Sequence, residues 1–536
     1  MSDTQNPQPQ NNVIFTDTKS NQALKNSSFH RKIWISRGNR SRTNLDEVLI
    51  EFRAQKHSEF IRRPRAHQYI ELSKTNSNSS SSGQQASRET THSSSSTSDL
   101  EGEKRSSDSI IKQLSRLDLF VDLVWVGIIA NLSATFIAQA FTNSGIDIGL
   151  AFLEFILLFI PIWRIWDHLR AYCIDFYTDD ILQRNFMVWI LVLSVCYGIN
   201  APYAFVSDGE DSLRILIGVY LVARVSFLLA NLLQAIFLPF LRRKFLFRAT
   251  TTILTGGIWI AAIYVSYPAK IALLVIANAA EHPIDIFLAS PTADRLLIPG
   301  WKRSVHTSHY VDRHEGFFII ILGEGVFRLI EGSPSGMGLT HKTGTVLTAL
   351  LMYYVLHWLY FNGDRTKKFI HALRRTWWKP VIWQLAHIFM FASLLILASS
   401  TLFLVEHESS TASSNSEPTP STSTKREESG TPKPHAELYA LWSASISLSV
   451  TLFFMTIIAI LNRPLDKPQT LLINSRWIRL GFRIPVIAVI VCLPLIEDLN
   501  GGWWCGAAVF LLYFLFLWEW GTGLERNWRF VEPKEG

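Results

Sequence analysis

The sequence has few cysteines and lacks the short motifs of common soluble enzymes. Only four cysteines occur among its 536 residues, and none has CxxC spacing, so buried apolar thiols are predicted rather than a disulfide framework. No P-loop, GxSxG elbow or HExxH pattern is found. We therefore predict neither an enzyme nor a bound cofactor. The opening MSDTQNPQPQNN also lacks the apolar core of a cleaved signal peptide.

Charged side chains are scarce too, at 18% of residues, whereas hydrophobic residues reach 48% and the mean hydropathy is +0.17. Apolar stretches such as VWILVLSVCYGINAPYAF recur along the chain, with the ~20-residue length that crosses a bilayer. The pattern predicts an all-α polytopic transmembrane helix bundle in contact with lipid. The formal charge of +7 is assigned to basic loops, and no nucleic acid is predicted as a partner.

About twelve spans meet the length criterion. They lie near 118–142, 148–169, 183–205, 213–238, 248–267, 270–290, 313–331, 342–362, 380–405, 437–461, 479–497 and 502–520. The first and seventh spans both begin with charge followed by a Phe-rich run, which is compatible with two parallel six-helix halves.

The loops predict the orientation. Basic segments such as LRRKFLFR, DRTKKFIHALRRTWWK and ERNWR alternate with poorly basic ones such as TNSGIDI, VSDGEDS and EDLNGG. Positive charge gathers on the cytoplasmic side of membrane proteins, so both termini are expected in the cytoplasm. Span length leaves both the plasma membrane and internal membranes open.

Composition also divides the chain. Residues 1–112 are Ser-rich, charged and nearly free of apolar groups, which predicts a disordered cytoplasmic tail. A cytoplasmic protein partner could recognise this tail. Residues 113–531 form the predicted transmembrane domain, with a flexible non-cytoplasmic loop at 407–436, and 532–536 form a short C-terminal tail.

Ionisable residues interrupt several predicted spans, where they normally face the interior of a bundle. Asp118 and Asp122 stand one helical turn apart in the first span, and Arg224 lies in the fourth. Other spans contain Glu154, Glu281, Asp285, His357 and His387.

The seventh span is the most informative. His309, Arg313 and Glu324 fall on one face at 100° per residue. Gly323 and Gly325 flank Glu324, which allows a neighbouring helix or a ligand to approach closely.

These residues predict an ion or proton pathway composed of Asp118, Asp122, Glu324, Arg313, His309, Arg224 and His387. The acids would accept protons or cations, the arginines would be their charge partners, and the histidines would carry protons. Two other interpretations stay open. The paired aspartates suit a helix start, and the charges can form structural ion pairs.

A metal site is the weaker interpretation of the segment that contains His306, His309, Asp312, His314 and Glu315. Two histidines have i, i+3 spacing there, but no third ligand is fixed, so no metal is predicted. The aromatic clusters WRIW and HWLYF are interpreted as belts at the membrane interface.

Four motifs in order resemble the low temperature requirement A (LtrA) family: LDLFVDLVWV, YTDDILQR, HYVDRHEGFFIIILGEG and HWLYFNGD. Asp118 and Asp122 take the acidic positions of the family's opening pattern. Thr178, Asp179, Asp180 and Arg184 match its cytoplasmic signature loop, whereas Asn362 replaces a family acid. The resemblance covers residues 118–387 and implies a multi-pass membrane protein without an agreed activity. The Ser-rich tail and the 407–436 insertion resemble fungal elaborations.

Three functions follow from these observations. The leading one is an ion or small-solute transporter or channel that uses buried carboxylates. The second is a non-transporting scaffold or a sensor of stress or cold that acts through its N-terminal tail. The third is a membrane-embedded, metal-dependent enzyme built on the segment 306–315.

Overall fold

The computed structural model describes residues 69–71, 119–142, 147–176, 180–205, 210–303, 307–331, 333–362, 369–408, 435–465, 471–473 and 475–524. Most of the predicted tail 1–112 and of the loop 407–436 lies outside these ranges, as does the segment 532–536. Within the predicted tail, the described residues form one strand, β1 (Tyr69–Glu71).

Long helices dominate the described residues. They are α1 (Leu119–Thr142), α2 (Ile148–Phe176), α3 (Ile181–Asn200), α4 (Glu210–Phe237), α5 (Arg242–Tyr264), α6 (Ala269–Leu288), the short α7 (Pro291–Leu297), α8 (Thr307–Ile330), α9 (His341–Asn362), α10 (Trp378–Glu406), α11 (Ala436–Leu461), α12 (Arg476–Gly481), α13 (Arg483–Cys492) and α14 (Gly501–Thr522). The prediction of a helical membrane bundle is confirmed.

Within the described ranges, eleven segments are long and apolar enough to cross a membrane. The predicted seventh span is not among them. It falls on α8, whose 24 residues extend for about 36 Å, enough to cross a bilayer. Its lower hydropathy follows from charged residues that include Arg313, Glu324 and Arg328, which are largely buried against neighbouring helices.

Two contacts show that α1 and α8 run parallel. Arg313 near the start of α8 binds Asp122 near the start of α1. Arg328, near the end of α8, donates to the carbonyl oxygen of Ala130, further along α1. Five of the apolar spans lie between these two helices in the sequence. Because successive spans alternate in direction, the sixth helix after α1 runs parallel to it. Helix α8 is therefore the seventh crossing.

Helix α10 lies at the centre of the bundle, with 94% of its most apolar segment buried. Hydroxyl pairs join it to its neighbours. Ser399 lies 2.7 Å from Ser133 of α1, and Ser393 lies 2.8 Å from Thr451 of α11, oxygen to oxygen. Small hydroxylic residues let helices pack closely within a membrane.

The outer surface of the bundle is apolar. Exposed fractions exceed one half for Leu229, Leu232, Ile253 and Phe510, among many others. Contiguous exposed apolar surface of this kind would aggregate in water, so lipid is its partner.

Two short sheets lie outside the helices. Strand β1 pairs antiparallel with β2 (Trp301–Arg303), with Tyr69 opposite Arg303. Strand β3 (Phe369–Ile370) pairs with β4 (Arg463–Pro464). We call the end of the bundle where α2 ends and α5 and α8 begin the basic end. It contains the segments 242–248 and 301–303, which carry much of the predicted cytoplasmic charge.

The interpretation of WRIW as an interface belt is wrong. Trp163 and Trp166 are each 1% exposed. Their rings pack against Phe317 of α8 at centroid distances of 5.3 and 4.7 Å. Burial of these large rings inside the bundle outweighs the preference of indoles for the interface.

We expect Gly325→Ala to destabilise the protein by about 1–3 kcal/mol. An added β-carbon would lie 2.9 Å from the Tyr353 ring of α9. That ring cannot easily move, because its hydroxyl oxygen is held 2.7 Å from that of Thr401. Gly323→Ala is the matched control, since no atom lies within 4 Å of its β-carbon position and alanine favours a helix by up to about 1 kcal/mol. Melting temperatures in detergent measure both, and equal shifts would contradict the close approach.

Candidate functional site

A buried ion pair joins the first and seventh spans. Both guanidinium Nη atoms of Arg313 donate to Asp122, at 2.7 and 2.9 Å. The side chains are 8% and 5% exposed, and the Trp166 indole also donates to Asp122 at 3.4 Å. The bidentate arrangement satisfies both charges, so it fixes the position of α8 against α1.

A second pair lies further along α8. The Nε atom of Arg328 donates to a Glu324 oxygen at 2.7 Å, and Arg328 reaches the Ala130 carbonyl. Arg328 is not among the residues predicted from the sequence. Its i, i+4 spacing from Glu324 was the available signal, because residues four apart on a helix face each other.

A third charged group is centred on Glu281 of α6. Arg224 of α4 and Arg164 of α2 approach its carboxylate at 2.9 and 3.3 Å. The Tyr220 hydroxyl donates to it at 2.7 Å, and the Trp259 indole donates at 3.0 Å. Glu281 and Arg224 were predicted separately as ionisable residues within spans, whereas Arg164, which lies in the middle of WRIW, was not predicted.

Asp285 extends this group towards the basic end. Arg164 donates to it at 2.8 Å, and Arg248 of α5 lies 3.6 Å away. Arg248 also contacts the Nε2 atom of His168 at 2.6 Å, and Arg164 contacts the Nδ1 atom of His282 at 3.2 Å. Arginine has only donors and keeps its proton, so each of these ring nitrogens accepts and both imidazoles are neutral.

Two cavities adjoin these charges. The larger, of about 300 Å³, lies towards the basic end, where Asp175, Lys244 and Arg303 contribute to its wall. The smaller, of about 40 Å³, reaches Arg224 and Glu281 in the middle of the bundle. Seven residues line both: Arg164, His168, Phe227, Asn231, Phe245, Arg248 and Asp285. The cavities are therefore adjacent and lead from the basic end into the bundle.

Proline lies within two of the helices that carry these charges. Pro161 lies inside α2 and Pro283 inside α6, within one turn of Arg164 and Glu281. Proline removes a backbone donor and disturbs the preceding turn. Both helices nevertheless continue through the proline.

The remaining residues of the predicted pathway are dispersed. His387 of α10 is fully buried; its Nδ1 atom donates to the Trp383 carbonyl at 2.7 Å, and the Tyr360 hydroxyl lies 3.0 Å from its Nε2 atom. His309 is half-buried in the first turn of α8. Asp118 lies outside the described residues.

Only part of the predicted signature loop is described. Asp180 caps α3, because its carboxylate accepts from the Gln183 backbone N–H at 2.7 Å. Arg184 follows in the first turn of that helix. Thr178 and Asp179 lie outside the described ranges.

The segment proposed as a weaker metal site contains a buried histidine. His314 is 0% exposed, and its ring packs among Trp163, Trp166 and Trp383. In the part of the chain that the structure describes, no three His, Cys, Asp or Glu side chains gather to hold a metal ion. His306 lies outside that part.

Comparison with models of known protein families gives a match over most of the chain. A family model described as "Bacterial low temperature requirement A protein (LtrA)" matches residues 113–514, and the match begins where the predicted tail 1–112 ends. Comparison with curated proteins and with solved structures gives no match. The predicted fungal origin stays a prediction. Since the match spans well over half of the 536 residues, the chain belongs to the LtrA family of membrane proteins.

Proposed function

We propose that the chain is a transporter or channel for an ion or a small solute, and that the two adjacent cavities are its pathway. One observation carries the proposal: charged side chains of α2, α4, α5 and α6 surround cavities that lead from the basic end to the middle of the bundle. In this proposal the basic end faces the cytoplasm, as its positive charge favours.

The energetic cost of the charges supports the proposal. An ionisable residue at the bilayer centre costs about 2.5–3.5 kcal/mol on insertion scales. Asp122 and Glu324 offset this cost through arginine partners on packed helices, and neither lines the two cavities. Arg164, Arg224 and Glu281 do line a cavity. We therefore assign solute binding to the cavities and a tethering role to Asp122 and Glu324.

Flux through reconstituted vesicles tests the proposal. Purified protein in liposomes is exposed in turn to gradients of K⁺, Na⁺, H⁺ and phosphate. We expect flux of at least one of them, and we expect Asn231→Trp to reduce it by at least tenfold, because Asn231 lines both cavities. Leu232→Trp is the matched control: it adds the same ring one residue away, at a side chain that is 56% exposed on the outer surface.

Two outcomes would overturn the proposal. One is the absence of flux under every gradient from protein that is folded. The other is equal flux from the Asn231 and Leu232 variants. A proton or cation route through Asp118, Asp122, Glu324, His309 and His387 stays a prediction. In the same vesicles, Glu324→Gln would abolish coupled flux if that route operates.

The second candidate is a scaffold or a sensor that acts through the N-terminal tail. Strand β1 of the predicted tail pairs with β2 at the basic end, which favours communication between the tail and the membrane domain. Deleting residues 1–112 separates the two functions. A transporter keeps flux after the deletion, whereas a scaffold loses its cellular phenotype and shows no flux in either form.

A further inference from the structure

Glu154 of α2 is a buried carboxyl that no arginine balances in the part of the chain that the structure describes. It is 2% exposed, and no hydrogen-bond donor among the described residues reaches its Oε2 atom. By contrast, Asp122, Glu281, Glu324 and Glu519 each bind an arginine. A buried carboxylate without a donor or a cation is costly to keep ionised, so burial favours the neutral acid at Glu154.

Glu154 lies near the end of the bundle opposite the basic end, which we call the outer end. It belongs to the second turn of α2, which begins at Ile148, so it lies about 9 Å along the helix axis from that end. Tyr267, in the loop between α5 and α6, is 55% exposed. Its pKa is raised by partial burial and by the charge of Glu154. The carboxyl is therefore within electrostatic reach of an exposed loop.

The neighbouring helices carry few titratable groups in their outer halves. The described side chains of this kind on α3, α4, α5 and α6 are Cys196, Tyr197, Asp211, Arg214, Tyr220, Tyr264 and Lys270. The tyrosines of α3 and α4 donate to other oxygens, and the aspartate and arginine of α4 pair with each other at the surface. Lys270 is buried and has an interaction of its own, so the experiments below also test for a lysine partner.

A third cavity, small and mostly apolar, connects the surroundings of Glu154 with those of Glu281. Its volume is about 20 Å³, and Tyr220 and Trp259, which both donate to Glu281, line it. Helix α2 contributes three residues within two turns of Glu154, namely Leu157, Leu158 and Pro161. At 100° per residue, these three lie within about 60° of Glu154 on the same helix face. The proposed pathway thus continues from Glu281 to Glu154 across an apolar constriction, a common form of gate.

We propose that Glu154 reversibly binds a proton from the outer side and that this proton is the coupling ion of transport. In this step an O–H bond of a hydronium ion breaks and an O–H bond forms on the Glu154 carboxylate, which gives water and a neutral acid. Release of the proton reverses the step. The inference deepens the proposed function, on which it rests, because it names the coupling ion and its outer site. Glu154 is not part of the proton route predicted from the sequence.

Infrared spectra of the full chain in nanodiscs test the proton site without requiring transport. The carbonyl-stretch band of neutral carboxylic acids is followed while the pH is raised. We expect a component that disappears with rising pH in the wild type and is absent from Glu154→Gln at every pH. Glu497→Gln is the matched control, because it removes an exposed carboxyl from the loop before α14, and it should keep that component.

The melting temperature of the same samples tests for a hidden partner. Glu154→Gln should keep the melting temperature of the wild type, because it leaves no cation without its carboxylate. A fall of the size expected on breaking a buried ion pair would reveal such a partner, Lys270 included, and would overturn the inference.

Flux in liposomes that contain a pH-sensitive dye tests the coupling. Gradients of K⁺, Na⁺ and phosphate are imposed in turn, and the movement of protons is recorded together with that of the ion. We expect Glu154→Gln to lower the number of protons moved per ion by at least tenfold. Glu154→Asp, which keeps a titratable carboxyl, and Glu497→Gln should both move protons as the wild type does.

The inference is overturned if the infrared spectra of the wild type and of Glu154→Gln titrate identically, or if the two move equal numbers of protons per ion. These failures are distinct from failure of the proposed function. Ion flux without Glu154-dependent proton movement leaves the transporter and removes the inference. A titrating Glu154 without flux of any ion leaves the proton site and removes both the transporter and the coupling.

Discussion

Asp122→Asn is expected to destabilise the folded protein by about 3–5 kcal/mol, the usual consequence of removing one partner from a buried ion pair. The substitution leaves Arg313 charged in a position where its side chain is 8% exposed. It also weakens the two hydrogen bonds, of 2.7 and 2.9 Å, that hold α8 against α1. The melting temperature of the detergent-purified protein measures the loss.

A matched exposed pair gives the control. Asp211 and Arg214 lie 3.2 Å apart, but their side chains are 89% and 49% exposed, so Asp211→Asn is expected to change stability by at most about 1 kcal/mol. The double variant of Asp122→Asn with Arg313→Gln should recover part of the loss, because no uncompensated charge remains. Strict additivity of the two single losses would show that the residues are not coupled and would contradict the ion pair.

The helices were the predictable part of the fold. The length of each apolar stretch sets the number of residues that cross a bilayer, and this information is local to the sequence. Helix α8 shows where mean hydropathy, unlike length, fails to identify a span. Its apolar run is interrupted by Arg313, Glu324 and Arg328, which it tolerates because neighbouring helices cover them. The length of the segment predicted α8 as a span, whereas its mean hydropathy and charge content exclude it.

The partners of the charged residues were less predictable. Periodicity places a residue on a face of its own helix, but it does not say which helix packs against that face. Arg313 and Glu324 were therefore placed on one face without a way to identify Asp122 as the partner of Arg313. Arg328 was within reach of local reasoning, because its contact with Glu324 lies inside one helix.

The cavities could not be predicted without the three-dimensional arrangement of the helices. Their walls combine α2, α4, α5 and α6 with side chains from β2, α8 and α10, and no local pattern brings these elements together. Arg164 shows the difficulty most clearly. It stands between two tryptophans that were predicted to lie at the membrane interface. Those rings instead pack inside the bundle, which places the arginine beside Glu281.

Glu281→Gln is expected to have the largest combined effect on stability and on function. Arg164 and Arg224 are 6% and 8% exposed. The Glu281 carboxylate balances part of the positive charge of both. Since removing one partner of a buried pair costs about 3–5 kcal/mol, we expect a stability loss at the upper end of that range. We also expect flux per folded molecule to fall at least tenfold, because the carboxylate lines the smaller cavity. Melting temperature and vesicle flux are measured on the same preparation.

A second buried pair separates the structural effect from the functional one. Glu519 of α14 accepts from Arg483 at 2.6 and 3.0 Å, the two residues are 6% and 0% exposed, and neither lines the cavities. Glu519→Gln should therefore destabilise the protein to a similar degree while flux per folded molecule is unchanged. Equal flux from the two variants would make Glu281 a structural residue, because a carboxylate in the pathway must affect transport beyond its contribution to folding.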